Sequence, residues 1–177
     1  MRLKTWVMAT TFVAAAAAAS AQAPNDAQIA AIVVTANQVD IDAGKLAESK
    51  ASNPQVKAFG KQMVTDHAGV NKQATDLVTK LGVKPEDNPT AESLKSGGAD
   101  NVKHLETLNG AAFDKAYVDH EVTYHQQVLD ALDKTLVPSA KNEQLKALLV
   151  KVRPAFAAHL EHAKHLQTSL GESTSAR

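Results

Sequence analysis

Seven histidines and nineteen carboxylates are spread over 177 residues, and a few of them fall where a helix would bury them. A helix advances about 100° per residue, so residues seven apart share a face. Over residues 26–49, Asp40 stands seven after Val33 and seven before Ala47. That is the centre of the apolar stripe Ile29, Val33, Ala36, Ala43 and Ala47. Over residues 54–81, His67 follows Met63 by four and precedes Ala74 by seven. Asp66 lies beside it, on the edge shared with Phe59 and Leu77. Further on, Asp114, Tyr117, Glu121, His125, Val128 and Leu132 recur at i, i+3, i+7 and i+11, a stripe polar in its first half and apolar in its second. His159 lies midway between Val152 and Leu166. His162 is about 60° off that line, and Glu161 and His165 point outward.

Burying an unpaired carboxylate or imidazolium is costly, so such residues need either a partner network or an ion. Carboxylates and imidazoles on the inner faces of packed helices are the oxygen and nitrogen donor set of iron, manganese or zinc. The candidate ligands are Asp40, His67, Glu121, His125 and His159, with Asp66, Asp114 and Tyr117 behind them. The competing reading is a hydrogen-bonded His–Asp–Tyr network with no ion and no other cofactor. Glu-x-x-His, the usual di-iron signature, is absent from the helical faces, because Glu121 and His125 are four apart. No Ser or Cys nucleophile stands near Asp66-His67 in a strand–turn–helix setting, which argues against a hydrolase. No residue is assigned a catalytic role, and the reading leans away from an enzyme. The exposed-looking His104, His120, His162 and His165 read as surface residues, with His162 the nearest to the stripe.

These side chains need four long helices to position them. The first is expected over Asp26 to Ser49. Asn53 then caps a second that opens on Pro54 and runs to Leu81, with Gly82 as its stop and Pro85 just beyond. Residues 83–110 hold two prolines and three glycines. They read as a crossover with short helical patches at Ala91–Lys95 and Asn101–Leu108. A third helix covers Ala111 to Leu136 and ends at Pro138. A fourth covers Ala140 to Leu170, with Pro154 expected to kink or split it. Pairing back from the turns sets Asp40 opposite Val64, and His159 opposite Tyr117 near Asp114 and Glu121. The expected fold is all-α: a ferritin-like four-helix bundle over residues 26–170, two antiparallel hairpins joined by a long crossover, with 171–177 a disordered tail.

Composition agrees. Aromatics are 4 %, with 8 Gly and 6 Pro, too few turn and strand residues for a β-sandwich or barrel. There is no cysteine, which excludes disulfides, thiol catalysis, iron–sulfur clusters and cysteine-ligated zinc. At the N-terminus, Arg2 and Lys4 precede an apolar run from Trp6 to Ala19 and then small residues. That is the pattern of a secretory signal peptide over residues 1–21, with cleavage after Ala21 or Ala23. Lys and Arg total 19 against 19 Asp and Glu. Loss of Arg2 and Lys4 leaves 17 against 19, a net charge near −2, which disfavours a nucleic-acid partner. No later segment is apolar enough for a stable membrane insertion. The expected destination is the periplasm. Protein partners are unknown.

Several segments together resemble a known family. They are Gly44-Lys45-Leu46-Ala47, Asn53-Pro54-Gln55-Val56-Lys57-Ala58-Phe59, Met63-Val64-Thr65-Asp66-His67, Phe113-Asp114-Lys115-Ala116-Tyr117, His125, Pro154 and His159-Leu160-Glu161-His162-Ala163. The resemblance is to the DUF4142 family of exported bacterial proteins, ferritin-like in fold, and it spans about residues 26–168. It implies roles for Asp66, His67, Phe113, Asp114, Tyr117, His125, Pro154 and His159. Where the family more often carries Glu, this chain has the shorter Asp40. The family's function is not established. Two functions are therefore expected in competition. One is an exported protein binding a divalent metal in a redox- or envelope-stress role. The other is a non-enzymatic interaction module with a metal-free polar core.

Overall fold

A computed structural model describes residues 23–175, with nothing on the side chains of 173–175. The expected signal peptide and its cleavage after Ala21 lie outside the described residues. All regular structure among the described residues is helical: α1 (Asp26–Lys50), α2 (Pro54–Lys80), α3 (Pro89–Glu106), α4 (Gly110–Ala131) and α5 (Glu143–Ser175). After Ala131, α4 continues through a π-helical segment, Leu132–Leu136, and a last turn, Val137–Ser139.

The ends are set by local chemistry. Asn25 and Gln28 form a capping box at the start of α1. Asn53 caps α2 ahead of Pro54. Gly82, at φ 66°, closes α2, and the Val83 amide donates to the Val78 carbonyl as in a Schellman ending. Asn142 accepts from the amides of Gln144 and Leu145 at the start of α5. Helix ends also cap one another across the fold. Asp26 accepts from the amides of Lys141 and Asn142, and Asp114 accepts from those of Ser52 and Asn53 and from the Ser52 hydroxyl.

Cross-helix pairs fix the directions. Asn37 meets His67 and Asn71 reaches the Val34 carbonyl, so α1 and α2 are antiparallel. Asp133 meets Arg153 and Asp119 meets Gln167, so α4 and α5 are antiparallel. Gln73 meets Lys151 and Asp66 meets His159, so α2 and α5 are antiparallel as well. Helix α3 runs parallel to α1. Asn88 binds the Gln28 carbonyl, Gly98 lies against Val39, and Lys50 donates to the carbonyls of Leu105 and Glu106.

Four expectations need correction. The crossover is one helix of 18 residues rather than two short patches. Gly97 and Gly98 lower its intrinsic propensity, but a Cβ on Gly98 would stand 2.6 Å from Val39 Cγ2, so the glycine is what lets α3 lie on α1. Helix α4 does not stop at Pro138. The wider π turn, closed by the Val137 amide on the Leu132 carbonyl, accommodates the proline ring. Helix α5 is not split at Pro154, one of the two outcomes expected there, and runs on to Ser175. Pro154 and Val150 are both exposed, so the Val150 carbonyl freed by the proline can turn to water. Residues 171–175, expected as a disordered tail, are therefore helical, because Gly171 alone costs only about 1 kcal/mol.

The apolar core has two parts. One holds Ile29, Ile32 and Val33 of α1, Val70 and Ala74 of α2, Leu129 to Leu136 of α4, and Leu145 to Leu160 of α5. The other holds Ala43, Ala47, Val56, Phe59, Met63, Phe113, Tyr117 and Ala163. Near the second part α1 and α2 approach closely at two glycines. A Cβ on Gly60 would meet Ala47 Cβ at 2.8 Å and the Gly44 carbonyl oxygen at 2.9 Å. Gly60→Ala should therefore lower stability by about 1–3 kcal/mol, the usual cost of overpacking. Gly69, in the same helix, has nothing within 4 Å of such a Cβ, and Gly69→Ala should raise stability by about 0.5–1 kcal/mol. Urea denaturation of the two variants checks the opposite signs.

Candidate metal centre

Between the two apolar parts lies a layer of buried polar side chains. Asn37 and Asp40 come from α1, His67 from α2, Glu121 and His125 from α4, and His159 from α5. Each is at most 2 % exposed. On α1, α2 and α4 the polar positions fall between the residues of the two apolar clusters, and on α5 His159 stands among the last residues of the first cluster, between Phe156 and Leu160.

The three histidines converge. One ring nitrogen of each of His67, His125 and His159 lies within 4.8 Å of the other two, and the ring centres are 5.2–5.6 Å apart. Asp40, Glu121 and His125 form a second group within the same limit. Asp40 Oδ2 is 3.5 Å from His67 Nε2, and Glu121 Oε2 is 3.3 Å from His125 Nδ1.

The tautomers follow from what the other nitrogens do. His67 Nδ1 lies 2.7 Å from Asn37 Oδ1. The Asn37 amide is held that way round because its Nδ2 donates to the Val33 carbonyl at 2.7 Å. His125 Nδ1 lies 3.1 Å from the Glu121 carbonyl oxygen, and His159 Nε2 lies 2.9 Å from Asp66 Oδ2. Each partner is an acceptor, so each of these nitrogens carries the hydrogen. In the neutral rings the remaining nitrogens, Nε2 of His67, Nε2 of His125 and Nδ1 of His159, present lone pairs. None of them has a hydrogen-bond partner in the protein. Neither do Asp40 Oδ1, the two Glu121 carboxylate oxygens or the Tyr117 hydroxyl. A histidine held by an acceptor at one nitrogen and free at the other is the arrangement that orients metal ligands.

Electrostatics set which of these groups are charged. Burial, with the neighbouring His125 and His159, pushes His67 down to about 3, so it is neutral at pH 7. His159 is also lowered, by burial foremost and against the pull of Asp66. Burial and the charge of Glu121 raise Asp40 well above the usual carboxylate range. Burial acts to raise Glu121 too, but His120 and His125 outweigh it and hold it low. Asp40 thus carries the proton and Glu121 the charge. Tyr117 is raised by burial and by the charges of Glu121 and Asp40.

The expected residues are not all brought together. Asp40, His67, Glu121, His125 and His159 are. Asp66, half-buried, supports His159. Tyr117 is buried in the cluster that flanks the layer. Asp114 is elsewhere, capping the α1–α2 turn. The cause is register. The turn between α4 and α5 lies at residues 140–142, after the π segment, so His159 sits beside His125 rather than opposite Tyr117 and Asp114. His162 packs on Phe59, its ring 4.9 Å away. His120, expected on the surface, is only partly exposed. It stacks on Tyr124 and its Nδ1 is 4.0 Å from Glu121 Oε1. Sequence reasoning missed Asn37, although it stands four after Val33 on the same stripe. It also missed Tyr124, whose hydroxyl donates to the Ala36 carbonyl at 3.0 Å. A search of the stripe for any polar residue, not only ionisable ones, finds Asn37.

The chain belongs to the DUF4142 family, a domain of unknown function, whose sequence profile matches residues 11–166. No curated protein and no solved structure is detectably similar to it. Among the described residues, no helix is long and apolar enough to cross a membrane.

The lowered His67 makes a prediction about acid. Between about pH 6.5 and about pH 3 the unfolded chain binds a proton at this residue and the native chain does not, so stability falls as pH drops. Asp40 works with the opposite sign. Its contribution is full below its unfolded value and is lost as pH rises through its raised native one. The His67 effect is therefore isolated by comparison with His67→Leu, in chelator, by urea unfolding. From about pH 6.5 to pH 4.5 the wild type should lose about 2–3 kcal/mol more than the variant. Equal losses would contradict a His67 that is buried and neutral.

Proposed function

We propose that this protein is an exported four-helix bundle of ferritin-like topology that binds a divalent first-row metal ion in its mid-bundle polar layer. The topology reading rests on the antiparallel pairs α1–α2 and α4–α5, with α3 as the crossover that lets α4 run parallel to α2. The binding reading rests chiefly on one observation. Three buried imidazoles each have one nitrogen tied to an acceptor and the other without a partner, close together. His67, His125 and His159 would hold the ion, with Asp40, 3.5 Å from the unpartnered His67 nitrogen, beside it and Glu121 supplying negative charge. Nitrogen and oxygen donors without sulfur suit zinc, manganese or ferrous iron. Such an ion supplies Lewis acidity or, for iron and manganese, one-electron chemistry. A role in redox or envelope stress fits an exported protein of this kind.

A specific observation also favours a second reading. Asp40 and Glu121 can share one proton and Asn37 locks His67 with no ion, so the layer can act as a structural network alone. Melting separates the two. With zinc or manganese at about a hundredfold excess over Kd, a bound ion adds about 2.7 kcal/mol, or about 5–10 °C in a domain of this size. The wild type should show that rise over EDTA, and His159→Ala should abolish it. Asp114→Asn should lower the melting temperature alike in both media, because Asp114 serves the turn. A wild-type melting point indifferent to metal and chelator would leave the structural network as the reading.

Export has its own test. The mature protein from an expressing bacterium should begin at Gln22 or Pro24 by intact mass, in the periplasmic fraction. Recovery of Met1 in the cytoplasm would overturn it.

A further inference from the structure

We propose that a cavity beside the polar layer binds a small, largely apolar molecule, between benzene and indole in size, independently of any metal. The cavity measures about 200 Å³, and an apolar cavity of about 150 Å³ is enough to take up benzene. Its walls include Val33, Leu132, Leu149 and Val152, all buried. They offer a ligand no hydrogen bonds and therefore select an apolar body. At its inner end stand Asp40, His67 and Phe156, and at its outer side the exposed Thr90 and Gln127. Asp40 and His67 belong to the proposed metal centre, so the ligand body is held by the apolar walls rather than by those two groups.

Two further features mark the space as built. Protein interiors leave few voids larger than a water molecule, and Ala36 and Ala131 line this one where leucines would fill it. Leu132 and Leu136, the two ends of the π segment, also line it. Single π turns inside α-helices are frequent at functional sites.

Indole and toluene are the probes, titrated calorimetrically into the whole mature protein in EDTA and again with zinc. Saturable binding with Kd of about 0.1–1 mM is expected for ligands of this size, in both media. Ala36→Leu and Ala131→Leu should each weaken it at least tenfold while helicity is kept. If neither variant folds, the methyl resonances of Val33, Leu132 and Val152 report on the wild type, and toluene should shift them selectively. The proposal is overturned by absence of saturable binding of both probes, by undiminished binding in folded cavity-filled variants, or by shifts confined to other residues. Zinc uptake is measured on the same samples without probe, so this site and the metal centre can fail separately.

Discussion

Everything in this fold is arranged around a layer of ionisable side chains buried at mid-height between two apolar clusters. The layer draws on α1, α2, α4 and α5, so it works only in one relative register of those helices. An apolar core tolerates sliding and repacking. A layer in which His67 must find Asn37, and His159 must find Asp66, does not. Slipping one helix by a turn would strand several polar groups at once, each at roughly 1–3 kcal/mol. The close glycine contacts of α1 with α2 and with α3, and the cross-helix caps by Asp26 and Asp114, reinforce the same register from the two ends.

How much of this could be read beforehand depended on whether a feature was local or relational. The inner faces were legible because helical period is local. Asp40, His67, Glu121, His125 and His159 lie on their stripes by simple spacing, and all five are buried. Asp114 satisfies the same spacing on α4 but lies too far along the helix to join them. The expected pairing centres the α4–α5 turn on Pro138, whereas the turn lies at residues 140–142. The crossover helix was hidden for the opposite reason. Its glycines read as breakers, and only the contact of Gly98 with Val39 shows what the missing side chain permits. Asn37 was overlooked because attention rested on charge. Yet a neutral amide, clamped to the Val33 carbonyl, is what decides which His67 nitrogen keeps its lone pair.

The π segment links the layer to the space beside it. Pro138 follows the segment in the last turn of α4, and the turn to α5 at residues 140–142 leaves His159 beside His125. The segment's two end leucines line the cavity that reaches Asp40 and His67. One local irregularity in α4 therefore shapes the room next to the imidazole cluster.

The case for a cation rests finally on a count of donors and acceptors. A purely structural network closes when each buried acceptor meets a hydrogen. Here the three histidines have already committed their ring hydrogens outward, to Asn37, to the Glu121 carbonyl and to Asp66. Three nitrogen lone pairs and the carboxylate oxygens of Asp40 and Glu121 remain inside, facing the Asp40 carboxyl proton, the Tyr117 hydroxyl and, beside Glu121, the ring nitrogens of His120 and His125. Protonating the imidazoles would supply more, but burial and their mutual repulsion hold His67 and His159 neutral. A divalent ion satisfies several acceptors at once and offsets the charge on Glu121. It would also draw the proton from Asp40, since a carboxylate beside a cation favours its ionised form. Metal uptake should then release protons, a coupling that a layer serving only to hold the helices in register would not show.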